Sequence, residues 1–513
     1  MAVKGWIIGG GAALVAVGAG AATWAAVSFF DAGPQAAEAL PADTIAYVSL
    51  DVNPSGSQKI AALKLVNKFP SLKKELGVSS EEDVRRKLVE SITEGSGCDI
   101  DYDKDVKPWL GSTVAFGIVG KTDPQVVAAL EIKDAKKATA GIHDVLACTE
   151  SEEEPVAFAV NGDFLVFGKD ENQAKTFVTA AKKSSLADDD DFKKWTDAAG
   201  DPGILTAYAA PDAGSALAGQ LTDLGSLGSD LGGLEGGDLG SSALSWCPGA
   251  SDAASGADTS SLKSFKGAGA TVRFGDDGLE LDVAGDFGIT TIGSHSADVA
   301  DLPADVSAVL GIGFSDNWLD SALESLKKTC GDQFDPQSLY DMVSEFTGLD
   351  APADLETLTS DSLQLVLGGD LDVEEIINSA DPSSLPVALR VKGDPDKISA
   401  VIAKLDALAP GSTFLETKAG KDSVSLGFDT DLRDQLAKGG KLGDDKDFQA
   451  VVPEGDKASS VIYVDFAKLK KAINDATGSD AEVEANLEPL QGLGLSAWLD
   501  GSVTHAQLVL SVK

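Results

Sequence analysis

Alternating carboxylates at Asp99, Asp101, Asp103 and Asp105 have the residue type and spacing of a calcium loop. Lys104 stands where an EF-hand turn needs glycine, and the distal glutamate is missing, so these four are weak candidates for a metal site. Two further acid runs, 188–191 and 444–447, each precede a phenylalanine. Carboxylates there are expected to cap helix N-termini in preference to holding a divalent ion. Other catalytic patterns are missing. His143, His295 and His505 are widely separated, and there is no Gly-x-Ser-x-Gly elbow, phosphate loop or Cys-x-x-Cys. A glycosidase would need two acids converging at roughly 5–10 Å, and 82 acids offer no specific pair. The chain is therefore expected to have no catalytic residues, cofactor or resident metal, and to be non-enzymatic. Cys98, Cys148, Cys247 and Cys330 form an even set, which outside a membrane favours disulfides. We expect Cys98–Cys148 within one half of the chain, and Cys247–Cys330 joining a Gly/Leu-rich stretch to a helix at 318–328. Buried free thiols are the alternative for Cys247 and Cys330.

Residues 6–30 carry no charge, and a bilayer core of roughly 30 Å needs about 20 helical residues. Trp6, Trp24, Phe29 and Phe30 lie near the ends of the run, where aromatic rings favour the interface. Lys4 precedes it and Asp31 follows, so the N-terminus is expected in the cytoplasm and the bulk of the chain outside. Ala19-Gly-Ala21 resembles a signal cleavage site. The run exceeds the roughly 7–15 apolar residues of a signal, so a retained anchor is preferred. This predicts a stub at 1–5, a transmembrane helix at 6–30 and a linker at 31–40 in a single-pass plasma-membrane protein. The 82 acids against 41 bases give a net charge of −41. Such a surface repels nucleic acid and anionic lipid. Hydrophobic residues at 43% suffice for folded cores.

The remaining length repeats itself. Pro41-Ala-Asp43 returns as Pro303-Ala-Asp305, 127–138 as 387–398, 163–168 as 422–428, 186–192 as 442–448, and 203–208 as 459–464. Five matches in one order imply duplicated units, at 41–290 and 301–513. In each, β-branched runs such as 45–50, 114–119 and 127–132 alternate with helical spacings at 57–69, 135–146 and 172–183. Ser79-Ser-Glu-Glu82 reads as a capping box opening a helix to residue 92. Asn161-Gly162 marks a hairpin between 157–160 and 164–167; further hairpins join 270–274 to 279–283 and 495–499 to 504–512. The expected class is α+β: two lobes of mainly antiparallel sheet, helices packed on one face, with room for some parallel pairing. Residues 213–264 break the pattern. Leu217, Leu221, Leu224, Leu227, Leu231 and Leu234 keep a helical stripe that Gly225, Gly228, Gly232 and Gly233 weaken. The stretch is expected to be a marginal helix, with a lid or lipid-facing flap as the sharper alternative.

Residues 40–59, from Leu40-Pro-Ala-Asp43 onward, together with Asp99-Ile-Asp-Tyr-Asp-Lys-Asp105 and the following Val-Lys-Pro-Trp-Leu-Gly111, resemble the actinobacterial family catalogued as domain of unknown function 3352. The resemblance runs from about residue 40 to the C-terminus. It implies a single-pass protein with a large extracytoplasmic part, and it brings no assigned chemistry. The expected function is non-enzymatic binding or scaffolding at the cell envelope, with an envelope lipid, wall polymer or protein as partner. A hydrophobic-ligand carrier under the 213–264 flap and a carboxylate-dependent cell-wall hydrolase are the alternatives. An apolar tunnel between helices and sheet would favour lipid carriage.

Overall fold

A computed structural model describes residues 35–51, 56–71, 86, 100–149, 157–214, 216, 264–275, 278–288, 293–330, 335–369, 371, 385–407, 416–478 and 480–513. They fall into two compact units, one holding the described residues up to 288 and the other those from 293.

The first unit is built on strands β1 (Thr44–Asp51), β2 (Leu110–Val119), β3 (Gln125–Ile132), β4 (Ala157–Asn161), β5 (Phe164–Gly168), β6 (Leu205–Ala209), β7 (Ala268–Gly275) and β8 (Gly278–Gly285). Their order in the sheet is β8-β7-β6-β1-β2-β3-β5-β4. Its helices are α1 (Gln35–Glu38), α2 (Gly56–Lys68), α3 (Ala135–Thr149), α4 (Glu171–Lys183) and α5 (Asp190–Ala198). The second unit has β9 (Ala308–Gly313), β10 (Ser362–Leu367), β11 (Val387–Lys392), β12 (Thr417–Ala419), β13 (Ser423–Gly427), β14 (Ser460–Asp465), β15 (Leu490–Asp500) and β16 (Val503–Val512). Their order, β16-β15-β14-β9-β10-β11-β13-β12, follows the same path strand for strand. The helices here are α6 (Trp318–Cys330), α7 (Pro336–Thr347), α8 (Ala353–Leu358), α9 (Pro395–Asp406), α10 (Thr430–Lys438), α11 (Lys446–Val451), α12 (Phe466–Ala476) and α13 (Ala481–Leu487).

Local chemistry explains the shared path. Gly162, at φ 58°, makes the tight β4–β5 hairpin. Asp134 accepts from the amides of Lys136 and Lys137, both at 3.0 Å, and so starts α3. Asp394 does the same for Asp396 and Lys397 at the start of α9, where Pro395 fits the first helical position. In the acid runs, Asp189 accepts from Phe192 N at 2.8 Å, and Asp445 accepts from Asp447 N at 2.8 Å and Phe448 N at 3.1 Å. Phe192 then meets Tyr208 edge-on at 5.2 Å, and Phe448 meets Tyr463 edge-on at 5.1 Å.

That pair of contacts corrects the sequence alignment by one residue. Tyr208 lies opposite Tyr47, and Tyr463 lies opposite Val309, so Tyr208 and Tyr463 are equivalent. The sequence match had set Tyr208 against Val464. Likewise Ala128 faces Phe167 as Leu389 faces Leu426, although the sequence match set Ala128 against Ala388. A one-residue slip moves every side chain of a strand to the opposite face.

Two expectations change. Every described strand pair is antiparallel, with no parallel pairing among the described residues. Helices also cover both faces of the second sheet, not one. Leu432, Leu436 and Phe448 of α10 and α11 join Val366, Ala388, Val461 and Tyr463 in one core cluster. Ile398 and Ile402 of α9 pack on the other face, against Val391, Val424 and Leu426. The strands are apolar on both sides for this reason. The run 6–30, most of 213–264 and, Arg86 apart, the helix expected from Ser79 lie outside the described residues. The pairings of Cys98, Cys148, Cys247 and Cys330 fall outside the described side chains. Among the described residues no helix is long and apolar enough to cross a membrane.

Candidate apolar binding site

The alternating acids build a corner of the first unit. Asp101 accepts from the amides of Asp103 and Lys104 at 3.1 and 3.2 Å and pairs with the Lys104 ammonium. Asp105 accepts from Asp101 N at 2.8 Å. Asp103 is held by Arg86 at 2.9 Å and Lys107 at 3.2 Å. Hydrogen bonds from Lys104 hold the Asp101 carboxyl below the usual carboxylate range, and those from Arg86 and Lys107 do the same for Asp103. These bonds shape a π-helical turn, Tyr102–Val106, that buries Tyr102 and Val106. They also seat Trp109, whose indole donates to the carbonyl of Asp105. Asp99 lies outside the described residues. Among the described residues no group of three or more histidine, cysteine or acidic side chains is placed to hold a metal ion. The histidines sit apart: His143 on Phe158 at 5.1 Å, His295 3.7 Å from Asp316, and His505 stacked on Trp498 at 5.2 Å.

Trp109 is the stopper of a space between helix and sheet. It is buried with Tyr102, Val106, Leu110, Ile132, Ala138, Ile142 and Leu165, and Phe158 and Phe167 pack against the cluster. Helix α3 has Gly141 where the indole lies; a Cβ there would fall 2.1 Å from Trp109 Nε1. Counting from the capping aspartates, Ala138 and Ile142 of α3 correspond to Ile398 and Ile402 of α9, and Gly141 to Val401. In the second unit the stretch entering β10 is Thr359, Ser360 and Asp361, with no tryptophan.

The equivalent space there is an apolar cavity of about 300 Å³. Leu363, Leu389, Val391 and Leu426 form its floor on the sheet. Trp318 and Leu319 of α6, Leu355 and Leu358 of α8, Thr359, and Ile402 and Leu405 of α9 form its walls. The polar groups at the walls satisfy each other: the Trp318 indole donates to Thr359 Oγ1 at 2.8 Å, and that hydroxyl donates to Leu355 O at 2.7 Å. The lining asks for hydrocarbon. Lys404 of α9 clasps Asp350 at 2.7 Å and Asp354 at 2.6 Å, joining the α7–α8 connection and α8 to α9. Asp354 also accepts from the Asp350 amide at 2.7 Å. Burial pushes the Asp354 carboxyl up, but Lys404 and that amide more than offset it and leave it below the usual range. Hydrogen bonds donated to Asp350 and Asp354 raise the pKa of the Lys404 ammonium.

The cavity floor continues into the open. Leu426 faces Leu389, Leu389 faces Leu365, Leu365 faces Leu310, and Leu310 faces Ile462, each on the next strand. Leu365, Leu310 and Ile462 are 44%, 42% and 40% exposed, with Ile312 beside them at 39%. The same row in the first unit reads Phe167, Ala128, Phe116, Val48 and Ala207, each of them half-buried. Residue types alone did not point to the cavity, because its lining is ordinary core leucine. The usable signals were the lost tryptophan and the apolar outward positions of β9, β10 and β14.

A family described as "Protein of unknown function (DUF3352)" matches residues 7–425. That span begins inside the apolar run and ends in β13 of the second unit. No curated protein and no solved structure matches the chain.

Proposed function

We propose that this chain, which belongs to the DUF3352 family, is a non-enzymatic binding protein tethered at the cell envelope that takes an apolar ligand between α6, α8, α9 and the sheet of its second unit. One observation carries the reading. The second unit has an unfilled apolar cavity at the place where the first unit inserts Trp109, and its floor residue Leu389 is the cross-strand neighbour of exposed Leu365. Duplication followed by loss of a stopper is a physical route from a structural repeat to a binding repeat. Large exposed apolar patches mark contact sites for ligands, partners or membranes. In this reading the carrier role expected beneath 213–264 moves to the second unit. The tether rests on the uncharged run 6–30, which is long enough to span and lies almost wholly within the family match. The extracytoplasmic address rests on Lys4 before the run and Asp31 after it.

The test is calorimetric titration of the full chain in zwitterionic nanodiscs with decanol, empty discs subtracted. The expected result is saturable binding of about one alcohol per chain, abolished by Leu405→Trp, which fills the cavity from its half-buried wall. Equal heats from wild type, Leu405→Trp and empty discs would refute the reading.

A further inference from the structure

Resting on that reading, we infer that the ligand is a single long unbranched hydrocarbon chain of an uncharged or zwitterionic lipid. It enters the cavity by its tail and lies across the open sheet over Leu365, Leu310 and Ile462. Three observations carry this. The cavity of about 300 Å³ lies at the lower end of ligand sites, so it holds one chain end and not a whole lipid. The row leaving it is continuous: Leu426, Leu389, Leu365, Leu310 and Ile462 are direct cross-strand neighbours, and the last three are exposed. The first unit, whose space is stoppered by Trp109, has alanine at two of the five row positions, Ala128 and Ala207. A large aliphatic row and an open cavity therefore occur together, as they should if one ligand uses both.

Length and charge then select the occupant. Four interstrand spacings of about 4.8 Å give a row of roughly 19 Å. An all-trans alkyl chain, with bonds of about 1.5 Å, advances roughly 1.25 Å per bond, so about fifteen bonds, or sixteen carbons, reach from the cavity floor to Ile462. A net charge of −41 disfavours an anionic headgroup. A peptide is a poorer fit, since its backbone amides would meet no polar partner along an aliphatic row.

The experiment compares octanol and hexadecanol as ligands of the full chain in nanodiscs, for wild type, Leu310→Ser and Ile462→Ser. The ratio of variant to wild-type dissociation constant is read, which cancels partitioning into the disc. Each buried methylene contributes about threefold to fourfold in affinity, so removing a row contact weakens hexadecanol several-fold. We expect ratios near one for octanol and of about ten for hexadecanol in both variants. Octanol binding also reports that each variant is folded. Ratios near one for both alcohols would overturn the inference and leave the cavity reading standing. A dimer that dissociates in the row variants at unchanged hexadecanol affinity would overturn it in favour of a second copy on the row. Failure of every alcohol to bind wild type would overturn both.

Discussion

Trp109 decides whether the helix-to-sheet space of the first unit is core or cavity. Its indole lies directly on Gly141, which accepts the roughly 1 kcal/mol helix cost of glycine. Trp109→Ala should cost about 3–5 kcal/mol, read as a lower urea midpoint, because a buried aromatic is replaced by a void. The same variant should gain a second decanol site of the kind the second unit has. A cost below about 1 kcal/mol would mean that the neighbouring aromatics collapse into the space. Single residues were partly legible in the sequence. The acids before Phe192 and Phe448 cap helices, as their position implied. Asp101, Asp103 and Asp105 shape a turn that seats Trp109, a role that depends on Arg86 and Lys107, to which spacing does not point.

Between elements, the Lys404 clasp holds α8 against α9 at the cavity wall. Its pH dependence follows from the directions of the shifts. Asp354 is depressed in the folded chain, so its contribution is complete above the ordinary carboxylate pKa of about 3.9 and is lost as pH falls through the lower folded value. Lys404 is raised, so its contribution is complete below the ordinary lysine pKa of about 10.4 and is lost as pH rises past the raised folded value. Lys404→Met should therefore lower the urea midpoint at neutral pH, with the difference from wild type shrinking as pH falls below the ordinary carboxylate pKa of about 3.9 and through the lower folded value of Asp354. A difference that persists at acid pH would assign the effect to lost side-chain contacts. Element positions were largely legible, because helical periods, Asp caps and Asn161-Gly162 are local signals. Register was not. Two strands in the repeat were matched one residue out, since alternation is blurred when both faces of a sheet are apolar.

At the scale of the molecule, two units of identical strand path carry different contents. One is closed by Trp109; the other has a cavity and an aliphatic row. The duplication was visible as five matches in one order, but the coverage of both sheet faces was not, because helix placement depends on tertiary contact. A net charge of −41 disfavours nucleic acid and anionic lipid, and the apolar path over Leu365, Leu310 and Ile462 suits the uncharged chain proposed above. The most direct measurement is a crystal structure of the full chain soaked with decanol brominated at its terminal carbon, with bromine located by anomalous scattering. The account predicts a bromine peak in van der Waals contact with Ile402 and Leu405, and none in Leu405→Trp. Bromine beside Trp109, or the same peaks in wild type and Leu405→Trp, would contradict it.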